Sequence, residues 1–426
     1  MIKNKSTIMD FTKKTLKDFE NVEDLNIFER AKLNNEYLKF LDDRGVLNYK
    51  ILATSGCNSE IKLAKQKQLS EGNYISFVCN DYLGFTQHPK VKETVINAIN
   101  KYGTGAGASP LIGGYFNFHK EVEDKISHFF GKPQGSTLIY TTGYTANSAS
   151  LLCLLKKEDI AIVDMAVHSS VYEGIMGTTV KRFLHNDLDH LERVLKGVKD
   201  KYRTKMVIVD GVYSQDGDIA PLRDIVSLCK QYNAVLMVDD AHGIGVIGKT
   251  GRGAMEYFDV LNDVDIITGT FSKTFGNVGG YIVADPSLIT YLSYQSRQYA
   301  FSASATPAVL GVSKAIELID EEPFWQHKLW ENVKYYKSGL QALGFDLGTT
   351  ESAIIPVKTG DTEKTFQASK ILLENKIYTN PITYPAVSAK NSRIRMSIMA
   401  THTKDQLDKA LNVFEYVDKK VKISNK

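Results

Sequence analysis

Between Tyr74 and about Thr306 the chain alternates short β-rich runs with helical patterns, and this alternation constrains the fold more than any other feature. The runs fall at 75–77, 137–140, 160–163, 206–209, 234–238, 266–268 and 281–283. One intervening stretch, 119–130, places Val122, Ile126, Phe129 and Phe130 on a single helical stripe. Strands followed by crossover helices predict an α/β fold with a mostly parallel sheet sandwiched by helices. Ligands of such sheets bind beyond the carboxyl ends of the strands.

The flanks read differently. Residues 10–50 look helical, with Leu25, Phe28, Leu38 and Leu41 among charges and a stop near Gly45, so 1–72 is expected to be an N-terminal arm. Residues 73–306 form the expected large domain, and 307–426 a smaller α+β C-terminal domain. After Pro307 the latter reads as a long helix, a strand at 354–357 and a closing helix from Lys404. That helix opens with a Thr403-Lys-Asp-Gln406 capping box and carries Leu407, Leu411 and Phe414.

With 426 residues, 43% hydrophobic and 24% charged, the composition excludes disorder and fibres. A net charge of +3 and the lack of a Lys/Arg block interleaved with aromatics argue against nucleic-acid binding. Cys57, Cys79, Cys153 and Cys229 form no CxxC pair, and the last three lie in apolar runs, where buried free thiols in a reducing compartment are expected. The N-terminus has no secretory apolar core, and no stretch approaches the ~20 apolar residues of a membrane span. A cytoplasmic protein, at most peripherally in contact with membrane, is the expectation, with no metal site.

The run 234–238 ends in Asp239-Asp-Ala-His242, which puts the Asp239 carboxylate at the ligand edge of the sheet. Downstream lies Thr270-Phe-Ser-Lys-Thr-Phe-Gly276, then Gly279-Gly280. Singly, such residues usually cap a helix, pack in a core or sit on the surface. Their conjunction, in this order and separation, points to a site for pyridoxal phosphate (PLP). The Lys273 amine can bind the cofactor's aldehyde, Asp239 can keep its pyridine nitrogen protonated so that the ring draws in electrons, and hydroxyls can take the phosphate.

Two further segments join this site. Tyr140-Thr-Thr-Gly-Tyr-Thr-Ala-Asn147 ends a strand and opens a helix, whose free N–H groups at Gly143 and Tyr144 would meet a phosphate. His168 lies just past another strand end, where its ring could stack on a bound heterocycle. By contrast, Gly103-Thr-Gly-Ala-Gly107 with Gly113-Gly114 lacks the Gly-Lys-Ser/Thr of a nucleotide loop; it reads as a place where backbone approaches substrate or a partner subunit.

Asn80-Asp-Tyr-Leu-Gly84, Asp210-Gly-Val-Tyr-Ser-Gln-Asp-Gly-Asp218, Val238-Asp-Asp-Ala-His-Gly-Ile-Gly-Val246, Gly269-Thr-Phe-Ser-Lys273 and Arg395-Met-Ser-Ile-Met-Ala-Thr-His402 together resemble the α-oxoamine synthases. These are PLP enzymes of aminotransferase fold type I that condense an amino acid with an acyl thioester and lose CO₂. The resemblance runs from about residue 70 to 420. Within the family, Phe301-Ser-Ala-Ser304, Gly344-Phe-Asp-Leu-Gly-Thr-Thr-Glu351 and Met399-Ala-Thr-His-Thr403 resemble the bacterial serine palmitoyltransferases.

The resemblance implies that Lys273 binds PLP covalently, Asp239 pairs with its ring nitrogen and His168 stacks on the ring. It puts His242 and Ser214 near the phenolic oxygen, and Gly143, Tyr144, Thr270 and Ser272 around the phosphate. Ser302 and Ser304 would complete the phosphate site of a neighbouring subunit, implying a homodimer. Asn80 would lie near the substrate and Arg395 would hold the amino acid's carboxylate. The implied substrates are an amino acid, serine favoured, and a long-chain acyl-CoA or acyl carrier protein, giving a 3-ketosphinganine-like α-amino ketone. The sister activities are 8-amino-7-oxononanoate synthase, glycine C-acetyltransferase and a cysteate acyltransferase. More distant readings are a plain aminotransferase and a non-catalytic synthase subunit. Where relatives commonly have Gly-Ser-Arg or Gly-Thr-Arg, this chain has Ala108-Ser109-Pro110, a departure that bears on the acyl-thioester entrance.

Overall fold

The computed structural model describes residues 10–66 and 69–424. β1 (Glu60–Leu63) and β2 (Gly72–Ser76) form an antiparallel hairpin. The large sheet follows, from β3 (Thr137–Tyr140), β4 (Ile160–Asp164), β5 (Thr179–Phe183), β6 (Lys205–Asp210), β7 (Val235–Asp239), β8 (Ile266–Thr270) and β9 (Gly280–Val283). Its order is β3-β9-β8-β7-β6-β4-β5. Strands β4 to β8 run parallel, and β9 is antiparallel to both β3 and β8.

This sheet is buried on both faces, so β4 and β6 are buried at every position. Successive side chains enter opposite cores: Ile162, Val207, Val238 and Ile267 join one apolar cluster, and Ala161, Ile208, Met237 and Ile266 the other. The helix Asn117–Phe129 buries Val122, Ile126 and Phe129 against the first, as its stripe predicts. β5 has no counterpart among the predicted runs. It is the edge strand, with Lys181 and Arg182 exposed and only Phe183 buried, so it shows no apolar run.

Four strands follow the large sheet: β10 (Ile354–Lys358), β11 (Ile377–Tyr378), β12 (Asn380–Ile382) and β13 (Arg393–Ser397). β13 lies between β10 and β12, antiparallel to both. β11 instead pairs parallel with β2, so the chain ahead of the large sheet shares a three-stranded sheet with the C-terminal part. The long helix expected after Pro307 is two, Leu310–Glu321 and Phe324–Ala342, divided at Pro323. Proline has no N–H for the helical ladder and its ring crowds the preceding turn.

The closing helix Lys404–Val421 begins as its sequence predicts. Gln406 N donates to Thr403 Oγ1 at 3.2 Å, and Thr403 N to Gln406 Oε1 at 3.0 Å. At the other end, Asn26 caps the helix Ile27–Asp43, and Gly45 at φ +69° stops it. That helix buries Leu41 with Tyr37, whereas Phe28 is 79% exposed. No described helix is long and apolar enough to cross a membrane.

Candidate active site

Parallel strands leave their carboxyl ends along one rim of the sheet, and there a cavity of about 260 Å³ opens. Asp239, the last residue of β7, points its carboxylate into a fixed set of donors. Ala241 N donates to Oδ1 at 3.0 Å and Asn147 Nδ2 to Oδ2 at 2.5 Å. Asn147 is itself held on both sides: Thr268 Oγ1 donates to its Oδ1 at 2.7 Å, and its Nδ2 also reaches Ser170 Oγ at 3.0 Å. Ser170 Oγ lies 2.8 Å from His168 Nδ1. One buried network thus joins β7, β8, the helix Gly143–Leu154 and the turn bearing His168.

Charge in the cavity is tuned by burial. The Lys273 ammonium is pulled down to about 8, chiefly by burial, with Asp239 opposing and Arg395 reinforcing the shift. Burial also lowers His168, against the attraction of Asp239. His242 falls well below the ordinary histidine value through burial and the nearby Lys273 and Arg395 charges, so its ring is neutral at pH 7; its Nδ1 lies 2.7 Å from the Tyr82 hydroxyl. Asp210, ending β6 beside Asp239, is pushed well up by burial and by the Asp239 charge.

At another part of the wall, Thr142 caps the helix Gly143–Leu154, accepting from Thr145 N at 3.0 Å. The first-turn amides of such a helix have no acceptor within it and can meet an anion. Glycine is required for this closeness: a Cβ on Gly143 would fall 2.7 Å from Thr270 Cβ, and one on Gly280 2.4 Å from Gly143 N. The Thr270 and Ser272 hydroxyls, 2.8 Å apart, line the same cavity, as do Tyr144 and Ser214.

Nine of the sequence-predicted residues therefore border one cavity: Gly143, Tyr144, His168, Ser214, Asp239, His242, Thr270, Ser272 and Lys273. Asn80 and Arg395 stand just behind it. Arg395, on β13, donates from Nε to Ser214 O at 2.6 Å, from Nη1 to Ser397 Oγ at 2.9 Å and from Nη2 to Asn80 Oδ1 at 3.2 Å. Ser302 and Ser304 do not join it; they line a second cavity with Tyr140, Thr141 and Thr145. The glycines Gly103, Gly105 and Gly107 face open space within this chain.

Sequence reasoning assigned no role to Asn147, Asp210, Ser170 or Tyr82, which complete the network. Asn147 was legible in retrospect: four residues after Gly143, it lies on the same helix face. The donor set fits PLP. An anion cradle with no room for a Cβ, a carboxylate with an orienting amide and a primary amine of lowered proton affinity border one cavity.

Comparison with known proteins agrees with this geometry. The model of the aminotransferase class I and II family matches residues 72–414. The chain is 42% identical to an 8-amino-7-oxononanoate synthase of Thermoanaerobacter pseudethanolicus, over 82% of this chain and 89% of that protein. It is 38% identical to a serine palmitoyltransferase of Sphingobacterium spiritivorum, over 82% and 88% respectively. Among solved structures, a PLP-containing serine palmitoyltransferase from S. paucimobilis superposes with a TM-score of 0.88 at 30% identity, covering 94% of this chain and all of that one (100%). With its seven-stranded, mostly parallel sheet and these relatives on both sides, the chain belongs to the aminotransferase class I and II family, in its α-oxoamine synthase group.

Proposed function

We propose that this chain is a PLP-dependent acyltransferase that condenses serine with a long-chain acyl thioester, releasing CO₂, the free thiol and an α-amino ketone. The observation that carries the reading is the meeting of Lys273, Asp239 and His168 in one cavity backed by Arg395. When bound there, PLP supplies an electron sink for the bonds at the amino acid's α-carbon. Lys273 would anchor its aldehyde, Asp239 would pair with the ring nitrogen, His168 would pack on the ring, and His242 with Ser214 would attend the phenolic oxygen. Gly143, Tyr144, Thr270 and Ser272 would take the phosphate.

The same residues move the proton. Lys273, with its proton affinity lowered to about 8, is partly uncharged near neutral pH and can accept the α-proton at Nζ. Arg395, buried and aimed by Asn80 and Ser397, grips the substrate carboxylate through the paired N–H groups of a guanidinium. His242, held neutral, donates or accepts a hydrogen bond without adding charge.

A homodimer belongs to this reading, with Ser302 and Ser304 serving the neighbouring subunit's phosphate. Its support is their position in a separate cavity, the exposed Phe301 beside them in sequence, and the exposed Leu111 and Ile112 on the turn that packs against the helix Arg297–Phe301. The second reading is 8-amino-7-oxononanoate synthase, with alanine as the amino acid, favoured by the 42% identity to such a protein. Titrating purified protein with serine, alanine, glycine and cysteate, then following thioester loss and CO₂ release with acyl-CoAs, separates the two. Serine alone shifting the cofactor spectrum and consuming palmitoyl-CoA supports the first reading; alanine alone doing so replaces it. Arg395→Ala should weaken amino-acid binding roughly 10-fold or more, from ~1.5–3 kcal/mol for a hydrogen bond to a charged group.

A further inference from the structure

We propose that Cys57 and Cys79 form a redox modification site, closing to an intramolecular disulfide when the protein meets a low-molecular-weight disulfide. Their Sγ atoms lie 2.6 Å apart although 22 residues separate them. Sequence position suggested scattered thiols, and for Cys153 and Cys229, both buried, that holds. Cys79 departs from the expected buried lone thiol: it is only half-buried and faces the exposed Cys57.

The hairpin makes the meeting. Cys57 enters β1 and Cys79 leaves β2, and the antiparallel register, Glu60 against Ile75, brings these two ends together. Further bonds hold each side: Thr86 Oγ1 donates to Cys57 O at 3.3 Å, and Asp81 N to Cys79 Sγ at 3.3 Å. The backbone therefore need not refold for the sulfurs to join.

Roles within the pair differ. Cys57 is exposed, and the hydrogen bond from Cys79 lowers its proton affinity, so it is the attacking thiolate. With glutathione disulfide as oxidant, Cys57 attacks one sulfur and expels one glutathione thiolate. Cys79 then gives up its proton, attacks the Cys57 sulfur of the mixed disulfide and expels the second glutathione. Two protein thiols are oxidised and one small disulfide is reduced to two thiols. Cys79 is followed directly by Asn80, whose Oδ1 accepts from both Arg395 and Ser397, so the crosslink would anchor a segment next to the candidate site. The pairing rests on the hairpin alone and stands whichever amino acid the enzyme takes.

The test uses the full-length protein, incubated with glutathione disulfide, then alkylated under denaturing conditions and mapped by mass spectrometry. Of the four cysteines, Cys153 and Cys229 should remain alkylatable, while Cys57 and Cys79 appear in one crosslinked peptide pair that dithiothreitol reverses. Cys79→Ser should trap glutathione on Cys57. The proposal is overturned if all four thiols of the wild type stay free, or if the wild type keeps glutathione on Cys57 with Cys79 still alkylatable.

Discussion

Asp239 shows how much of a site one side chain carries. Its two oxygens are already engaged by Asn147 and Ala241, so substitution with asparagine preserves shape but removes the charge. Asp239→Asn should bind PLP more weakly and lose α-proton exchange by about 10²–10³-fold, the scale of other lost electrostatic contacts, as read by deuterium exchange into the amino acid. Near-normal exchange would remove Asp239 from the chemistry. Lys273 gives a prediction for the protein free of PLP. Its folded value, about 8, lies below the ordinary 10.5, so between these pH values the unfolded chain binds the proton more readily and stability rises with pH. Below pH 8 the buried charge costs up to ~3 kcal/mol. Lys273→Met should therefore be the more stable protein at pH 7 and should lose that rise, measured by urea unfolding across pH 7 to 11. A variant with an unchanged pH slope would show that Lys273 is solvated.

At the scale of elements, the strand ends do the positioning. His185, just past β5, lies 3.0 Å from Asp164 at the end of β4 and 2.8 Å from Asp218 in the turn after β6. Burial opposes its charge, but the two carboxylates win and raise it to about 10. Because the folded value is raised, the clamp's contribution is complete below pH 6.5 and is lost as pH climbs toward 10. His185→Gln should flatten that part of the stability profile in thermal melts between pH 6 and 10; an identical profile would make the clamp dispensable. These contacts also explain what the sequence hid at this scale. β5 carries charges because it is an edge, and β11 and β12 are two and three residues long, too short for a period to show.

Over the whole molecule, one carboxylate ties the C-terminal strands to the turn that carries Ser214. Asp216 accepts from Lys358 at 2.6 Å and from Arg393, which is 2% exposed. Asp216→Ala leaves the buried Arg393 guanidinium without its carboxylate partner, with only the Asn391 and Gln215 carbonyls to accept from it, and should cost about 3–5 kcal/mol. The amino-acid site should weaken with it, because Ser214 O is the acceptor for Arg395 Nε. Chemical denaturation and amino-acid titration check the two effects, and a loss below about 1 kcal/mol would class the bridge with exposed pairs.

Apolar runs marked six of the seven strands of the large sheet, because a strand buried on both faces is apolar through its middle, whereas the charged edge strand β5 and the place of the run 75–77 in the small sheet with β1 and β11 were hidden. That Asp239 at the end of β7, His168 just past β4 and Gly143 at the head of its helix share one cavity was legible for a related reason: ligand chemistry gathers where parallel strands stop. Tertiary structure alone decided the contacts between distant segments. It brought Asn147 to Asp239, Tyr82 to His242 and Asn80 to Arg395, pairs that no local period records. It joined β2 to β11 across most of the chain and set Cys57 against Cys79. Local pattern reports which face a residue buries, whereas hydrogen bonds between buried polar groups depend on which elements come to share that face.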